Sequence, residues 1–153
     1  MFNIVLLEPR IPQNTGTIGR LAFATNCALH LIKPYGFEIT EKALRRAGLD
    51  YWSDLDLYEY ENIEEFWQMN QNNSNHYFAT TKTNKVYFEA DYKAGDYIWF
   101  GREDAGLPEA LLDQHKESCV NIPMTNDARS LNIANSVSII IYDAIRQNYK
   151  EFK

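Results

Sequence analysis

The stretch Asn121–Tyr149 reads NIPMTNDARSLNIANSVSIIIYDAIRQNY, and its reading decides the fold. Two kinds of sequence meet in it. Asn121 to Asn132 is polar, interrupted by Pro123, and rich in side chains that bond nearby backbone, which predicts a loop. Beyond it Ile133, Val137, Ile140 and Ala144 recur at helical spacing, and Ser136 to Tyr142 is apolar nearly all round. Ser130 or Asn132 supplies the N-cap. The β-branched run Val137, Ile139, Ile140 and Ile141 is also compatible with a strand. Helix is the stronger reading, because the pattern outlasts the length of a strand. A polar loop feeding a buried helix holds a ligand on rigid support.

Working outward, the rest of the chain alternates strand and helix. Phe2–Leu7 is an apolar strand ended by Glu8-Pro9, and Pro9 and Pro12 fix an extended loop. Asn14 or Thr15 caps a helix whose inner face is Ile18, Leu21, Ala22 and Thr25. Strands follow at Leu29–Ile32, Leu57–Tyr60, His76–Thr80, Tyr97–Phe100 and Cys119–Ile122. Helices are expected at Thr40–Ala47, stopped by Gly48, at Ile63–Met69, and from Pro108. The alternation predicts an α/β fold, a mainly parallel sheet with helices on both faces, in one domain spanning residues 1–153.

Composition narrows the function. The net charge is −6, which disfavours generic charge-driven binding to nucleic acid but leaves room for a local patch. Lys42, Arg45 and Arg46 cluster, as do Lys82 and Lys85. No apolar run is long enough to span a membrane, and the N-terminus lacks the basic segment of a signal peptide. Cys27 and Cys119 lack metal-type spacing and read as buried, reduced thiols of a cytoplasmic protein. His30, His76 and His115 are scattered and read as surface or strand-end residues. Nothing resembles a metal site.

Three polar loops follow strands, after Thr80, Phe100 and Ile122. In an open α/β sheet ligands sit outside the carboxyl ends of strands, so chemistry is expected there. The loop Gly101–Pro108 has glycines that let backbone approach a ligand, although an ordinary strand-to-helix turn would look the same. Dinucleotide and P-loop fingerprints are missing, as is G-x-S-x-G. Group transfer from an activated donor fits such a site, because the protein then mainly orients the reactants. Arg20 and Arg129 flank these loops; alone, each reads equally as a solvated side chain. Tyr142 alone reads as a core tyrosine.

Three segments in order carry a resemblance: Asn14-x-Gly16-x-x-x-Arg20; Phe100-Gly101-Arg102-Glu103-x-x-Gly106-Leu107-Pro108; and Ile122-Pro123-Met124 with Arg129-Ser130-Leu131-Asn132-x-x-x-Ser136-Val137. They resemble the three motifs of the SpoU (TrmH-like) branch of the SPOUT methyltransferases. With Leu44-Arg45-Arg46-Ala47-Gly48-Leu49-Asp50-Tyr51, the chain is similar to the TrmL (YibK-like) subgroup, tRNA 2′-O-methyltransferases that act on C34 or a modified U34. The likeness spans residues 1–150.

The resemblance implies an α/β knot, a deep C-terminal trefoil. It implies S-adenosylmethionine as cofactor and S-adenosylhomocysteine as product, with Thr80, Gly101, Ile122, Ser130 and Leu131 lining the cofactor site. It implies a homodimer with a composite active site, Asn14 and Arg20 coming from one protomer and the cofactor loops from its partner. The catalytic set it implies is Arg20, Tyr142, Asn14, Ser130 and Asn132. Because a guanidinium stays protonated, Arg20 is expected to orient the adjacent phosphate and stabilise the developing alkoxide rather than act as a plain base. The partner is a tRNA anticodon stem-loop, met by Lys42, Arg45, Arg46 and Arg129. The same chemistry on another tRNA or rRNA position, or a non-catalytic knotted RNA-binding module, are the alternatives.

Overall fold

A computed structural model describes residues 1–38 and 52–152. The helix expected at Thr40–Ala47, and with it Lys42, Arg45 and Arg46, lies outside the described residues.

Strand β1 (Asn3–Leu7) shows why a parallel sheet forms. All but its first residue are buried, so it must be covered on both faces. Its side chains alternate: Ile4 and Leu6 enter one apolar cluster, Val5 and Leu7 the other. The strands β2 (Ala28–Ile32), β3 (Leu57–Tyr60), β4 (His76–Ala79), β5 (Tyr97–Phe100) and β6 (Cys119–Val120) join it in the order β3-β2-β1-β5-β4-β6. Every pairing is parallel, with Ile4 opposite Leu29 on one side and Ile98 on the other. The same alternation recurs in β5, where Ile98 and Phe100 face one cluster and Tyr97 and Trp99 the other.

Helices α1 (Pro12–Thr25) and α4 (Ile133–Gln147) cover the first face. Helices α2 (Ile63–Met69) and α3 (Glu109–Gln114) cover the second; a short α5 (Tyr149–Phe152) ends the described chain. The expectation of helices on both faces is met. The stretch from Ile133 is a helix: Val137, Ile140, Ile141 and Ala144 are fully buried, which is helical and not alternating spacing. Asn132 is its N-cap.

Two expected starts shift. Helix α1 begins earlier than Asn14 or Thr15: Ile11 is the N-cap and Pro12 opens the helix. Its proline is tolerated because the first N–H groups of a helix have no intrahelical partner. Pro108 stands just before α3 rather than inside it. Strand β6 stops at Val120, but Asn121 continues as a clasp. Its N–H donates to Lys85 O (2.8 Å), its carbonyl accepts from Tyr87 N (2.8 Å), and its side-chain amide donates to Thr83 O (2.6 Å). The chain leaving β6 therefore runs between β4 and the 83–87 segment of the β4–β5 connection.

His30 corrects the surface reading. It sits in β2 at 3% exposure. Its Nε2 lies 2.9 Å from Asn3 Oδ1 and its Nδ1 2.8 Å from the Tyr60 hydroxyl. Asn70 donates to the same hydroxyl (3.1 Å) and accepts from Tyr97 (3.1 Å). Since Asn3 Oδ1 can only accept, His30 donates from Nε2 and accepts at Nδ1, which fixes one neutral tautomer. Cys27 and Cys119 are buried free thiols, as expected. Among the described residues no helix is long and apolar enough to cross a membrane.

Candidate active site

Strand order places the site. Consecutive strands β1, β2 and β3 run outward from the sheet centre in one direction, while β5, β4 and β6 lie on the other side of β1. That reversal opens a crevice beyond the carboxyl ends of the strands. A cavity of about 470 Å³ lies there, within the size range of small-molecule sites.

Its walls come from four places. The β4 end supplies Ala79 to Lys82, the β5 end Phe100 to Leu107, the β6 end Val120, Ile122 and Met124, and the loop into α4 Arg129 to Ile133. Ile11 and Asn14 of α1 complete the rim. Seven of the residues expected from the sequence thus meet: Thr80, Gly101, Ile122, Ser130, Leu131, Asn132 and Asn14, with Arg129 beside them. Asn14, expected to meet the loops of a partner, borders the cavity of its own chain, where its Oδ1 accepts from Asn132 (3.1 Å).

Local chemistry shapes each wall. The loop after β5 folds back on itself, Gly106 N donating to Arg102 O (2.8 Å) and Arg102 N to Gly106 O (3.3 Å). A Cβ on Gly101 would overlap the backbone of Gly106 and Leu107, so only glycine permits this close approach. Gly106 has φ +72°, which glycine adopts without strain. Arg102 is held by two hydrogen bonds to Asp104 (2.9 and 2.7 Å). That bond keeps the Asp104 carboxyl below the usual carboxylate range. Glu103 turns the other way and accepts from the backbone N–H groups of Arg10 (2.9 Å) and Ile11 (3.3 Å).

The Thr80 hydroxyl accepts from Lys82 N (3.1 Å), so it braces its own turn. Lys82 bridges to Glu109 (2.8 Å) across the rim. Asn132 accepts from Ala134 N (2.8 Å) and Asn135 N (3.2 Å) and donates to Asn14 Oδ1 (3.1 Å). It is a positioning residue here, with its amide occupied by protein. Lys82, Glu103 and Asp104 are the rim charges that motif reading had not assigned a role in the site. Lys82 and Glu103 act through partners distant in sequence, whereas Asp104 pairs with Arg102 two residues before it.

Arg20 and Tyr142 stand apart. Neither lines the cavity. Arg20 is exposed on α1 and Tyr142, 51% exposed, on α4. The core reading of Tyr142 is therefore corrected: its position on the helix faces outward, between buried Ile141 and Ala144. The three histidines lie away from the cavity lining, and among the described residues no group of three or more His, Cys, Asp or Glu could hold a metal ion.

Comparison with known proteins agrees with this arrangement. The SpoU rRNA Methylase family model matches residues 1–142. Over 148 residues the chain is 44% identical to the tRNA (cytidine(34)-2′-O)-methyltransferase of Escherichia coli strain K12, covering 96% of this chain and 94% of that protein. The protein of that name from Yersinia pestis is 43% identical over 152 residues, with 96% and 94% covered. A solved structure described as giving "structural insights into the 2-OH methylation of C/U34 on tRNA" superposes with a TM-score of 0.92 at 37% identity, covering 98% of this chain and 97% of that one. An AdoMet-bound rRNA methyltransferase from Sinorhizobium meliloti superposes at 0.82 with 25% identity, covering 95% of this chain and 56% of that one.

Proposed function

The chain belongs to the SpoU rRNA Methylase family, and from that premise we propose that it transfers a methyl group from S-adenosylmethionine to the ribose 2′-oxygen of nucleotide 34 in tRNA. One observation carries the reading. The three loops named from the sequence converge on one cavity, in a chain 44% identical along 96% of its length to an enzyme with that activity in its name.

The residues present fit the cofactor. The cavity combines apolar walls from Phe100, Leu107, Val120, Ile122 and Ile133 with small polar groups at Thr80 and Ser130. The Gly101 turn brings backbone, not side chain, to the wall, which suits an adenosyl group bound by main-chain contacts. When bound, S-adenosylmethionine supplies an electrophilic methyl group on a sulfonium sulfur. The protein's share is to hold the ribose oxygen in line and to stabilise the charge that develops on it.

Arg20 is the group for that second task. Among the described residues its guanidinium has no hydrogen bond or ion pair in this chain. It is therefore available to a phosphate and a developing alkoxide. That it does not line the cavity of its own chain fits a dimer in which each protomer lends Arg20 to its partner. Helices α1 and α4 pack on each other and leave Arg20, Phe23 and Tyr142 outward, a surface suited to an isologous contact. The clasp around Asn121 supports the knotted C-terminal segment that the family likeness implies.

Arg20→Ala tests the assignment. S-adenosylmethionine binding, measured by calorimetry, should be unchanged, while methyl transfer to unmodified tRNA falls by about 10²–10³. Retention of full activity would remove Arg20 from the reaction.

A further inference from the structure

Glu103 reaches out of the cavity loop. Its carboxylate binds the backbone N–H groups of Arg10 and Ile11, 93 and 92 residues earlier in the chain. Helix α1 lacks a cap of its own: Ile11 at the N-cap has no side-chain oxygen, Pro12 has no N–H, and the first turn holds no acidic residue. A carboxylate from elsewhere accepts from the N–H groups of Arg10 and Ile11, just ahead of the first turn, and sets a negative charge at the positive end of a 14-residue helix. The same turn is held from the opposite cavity wall, where Asn14 Oδ1 accepts from Asn132 Nδ2 at 3.1 Å.

The start of α1 is thus tied to two loops that each line the cavity, the 101–107 loop through Glu103 and the 129–133 loop through Asn132. The first tie is stiff. Gly101 and Gly106 are in backbone contact, and the turn between them is closed by hydrogen bonds at both ends, so Glu103 moves only if the turn moves. Less than two helical turns beyond Asn14, the same helix displays Arg20.

The geometry points to Glu103 as a positioning residue that couples cavity occupancy to the placement of α1, so that cofactor and RNA bind with linked affinities. This rests on the methyltransferase reading above. By reciprocity, a cofactor that settles the 101–107 loop tightens RNA binding by the same factor that RNA tightens the cofactor. The competing role is a plain helix cap, which would lower stability and leave the linkage untouched.

The test uses the full chain and measures the Kd of unmodified tRNA with and without saturating S-adenosylhomocysteine. Wild type should bind tRNA at least about fivefold more tightly with the nucleoside present. Glu103→Gln keeps the shape but offers one acceptor where two N–H groups wait, and its ratio should fall to about one. Glu103→Asp keeps the charge but is one methylene too short to span both groups. It should behave the same way, and it carries the test if the glutamine variant does not fold. An undiminished ratio in either folded variant, or a ratio of one in wild type, overturns the proposal. A wild-type chain that binds no S-adenosylhomocysteine overturns the methyltransferase reading itself, and the coupling with it.

Discussion

Asn132 uses its whole side-chain amide: the oxygen caps α4 and the nitrogen reaches Asn14. Asn132→Ala should cost about 0.5–2 kcal/mol in urea unfolding, the usual loss for a helix cap. Asn132→Ser should recover most of that stability without restoring the contact to α1, which separates capping from positioning in an activity assay. Gly101 is stricter. In Gly101→Ala the new methyl meets backbone that has no flexible end to swing away, so the loop must open. S-adenosylmethionine affinity should fall by about tenfold or more by calorimetry; an unchanged affinity would separate this turn from the cofactor. Asn132 was legible from the sequence as one of two caps, beside Ser130, because capping is local. Glu103 was legible only as part of a motif, because its partners Arg10 and Ile11 lie at the far end of the chain.

At the scale of elements, α4 is where two readings competed. In a strand Val137, Ile139 and Ile141 would share one buried face; in the helix Val137, Ile140, Ile141 and Ala144 do, and Ile139 is only half-buried. Ile140→Ala should therefore cost about 2–5 kcal/mol and Ile139→Ala clearly less, read from denaturant midpoints. Periodicity made this helix legible, whereas the strands were legible only as short apolar runs and their two faces only in the structure. The start of α1 was misplaced because Ile11 offers no capping side chain and Pro12, which suits a first helical turn, was read as part of the loop. The burial of His30 was hidden for a different reason. Its partners Asn3, Tyr60 and, through Asn70, Tyr97 belong to three other strands.

That polar chain gives the sheet a pH dependence. Burial pushes His30 down from 6.5 to about 4, against a smaller opposing pull from Asp56 and with a further push from His76. Burial lowers His76 to about 4 as well. A histidine whose pKa is depressed by folding binds more protons when unfolded. Its stabilisation is complete above about pH 6.5 and is lost as pH falls towards 4. For His30 the loss at pH 5 is on the order of 2 kcal/mol; His76 is more exposed and adds less. The urea midpoint should drop between pH 7 and pH 5, and His30→Gln should flatten that drop. A profile as steep in the variant would place the titration elsewhere.

For the whole molecule, the net charge of −6 and a tRNA substrate are reconciled by where the cations sit. Arg129 lines the mouth of the cavity beside Lys82 and Arg102, which are paired with Glu109 and Asp104, and Arg20 lies on the face that the proposed dimer brings to a neighbouring site. The dimer makes a further prediction. Arg20→Ala and Gly101→Ala protomers, each largely inactive alone when S-adenosylmethionine is held well below the Kd of the Gly101→Ala variant, should recover about a quarter of wild-type activity when mixed and re-associated in equal amounts, because half the dimers then hold one intact site. No recovery would mean that each site is built from one chain. The central claim is tested most directly by incubating the protein with labelled S-adenosylmethionine and tRNA lacking wobble ribose methylation, then mapping the product by nucleoside mass spectrometry. The account predicts a 2′-O-methyl group at nucleotide 34 of a subset of tRNAs. Methyl transfer to a different position or a different RNA, or none at all from a chain that binds the cofactor, would contradict it.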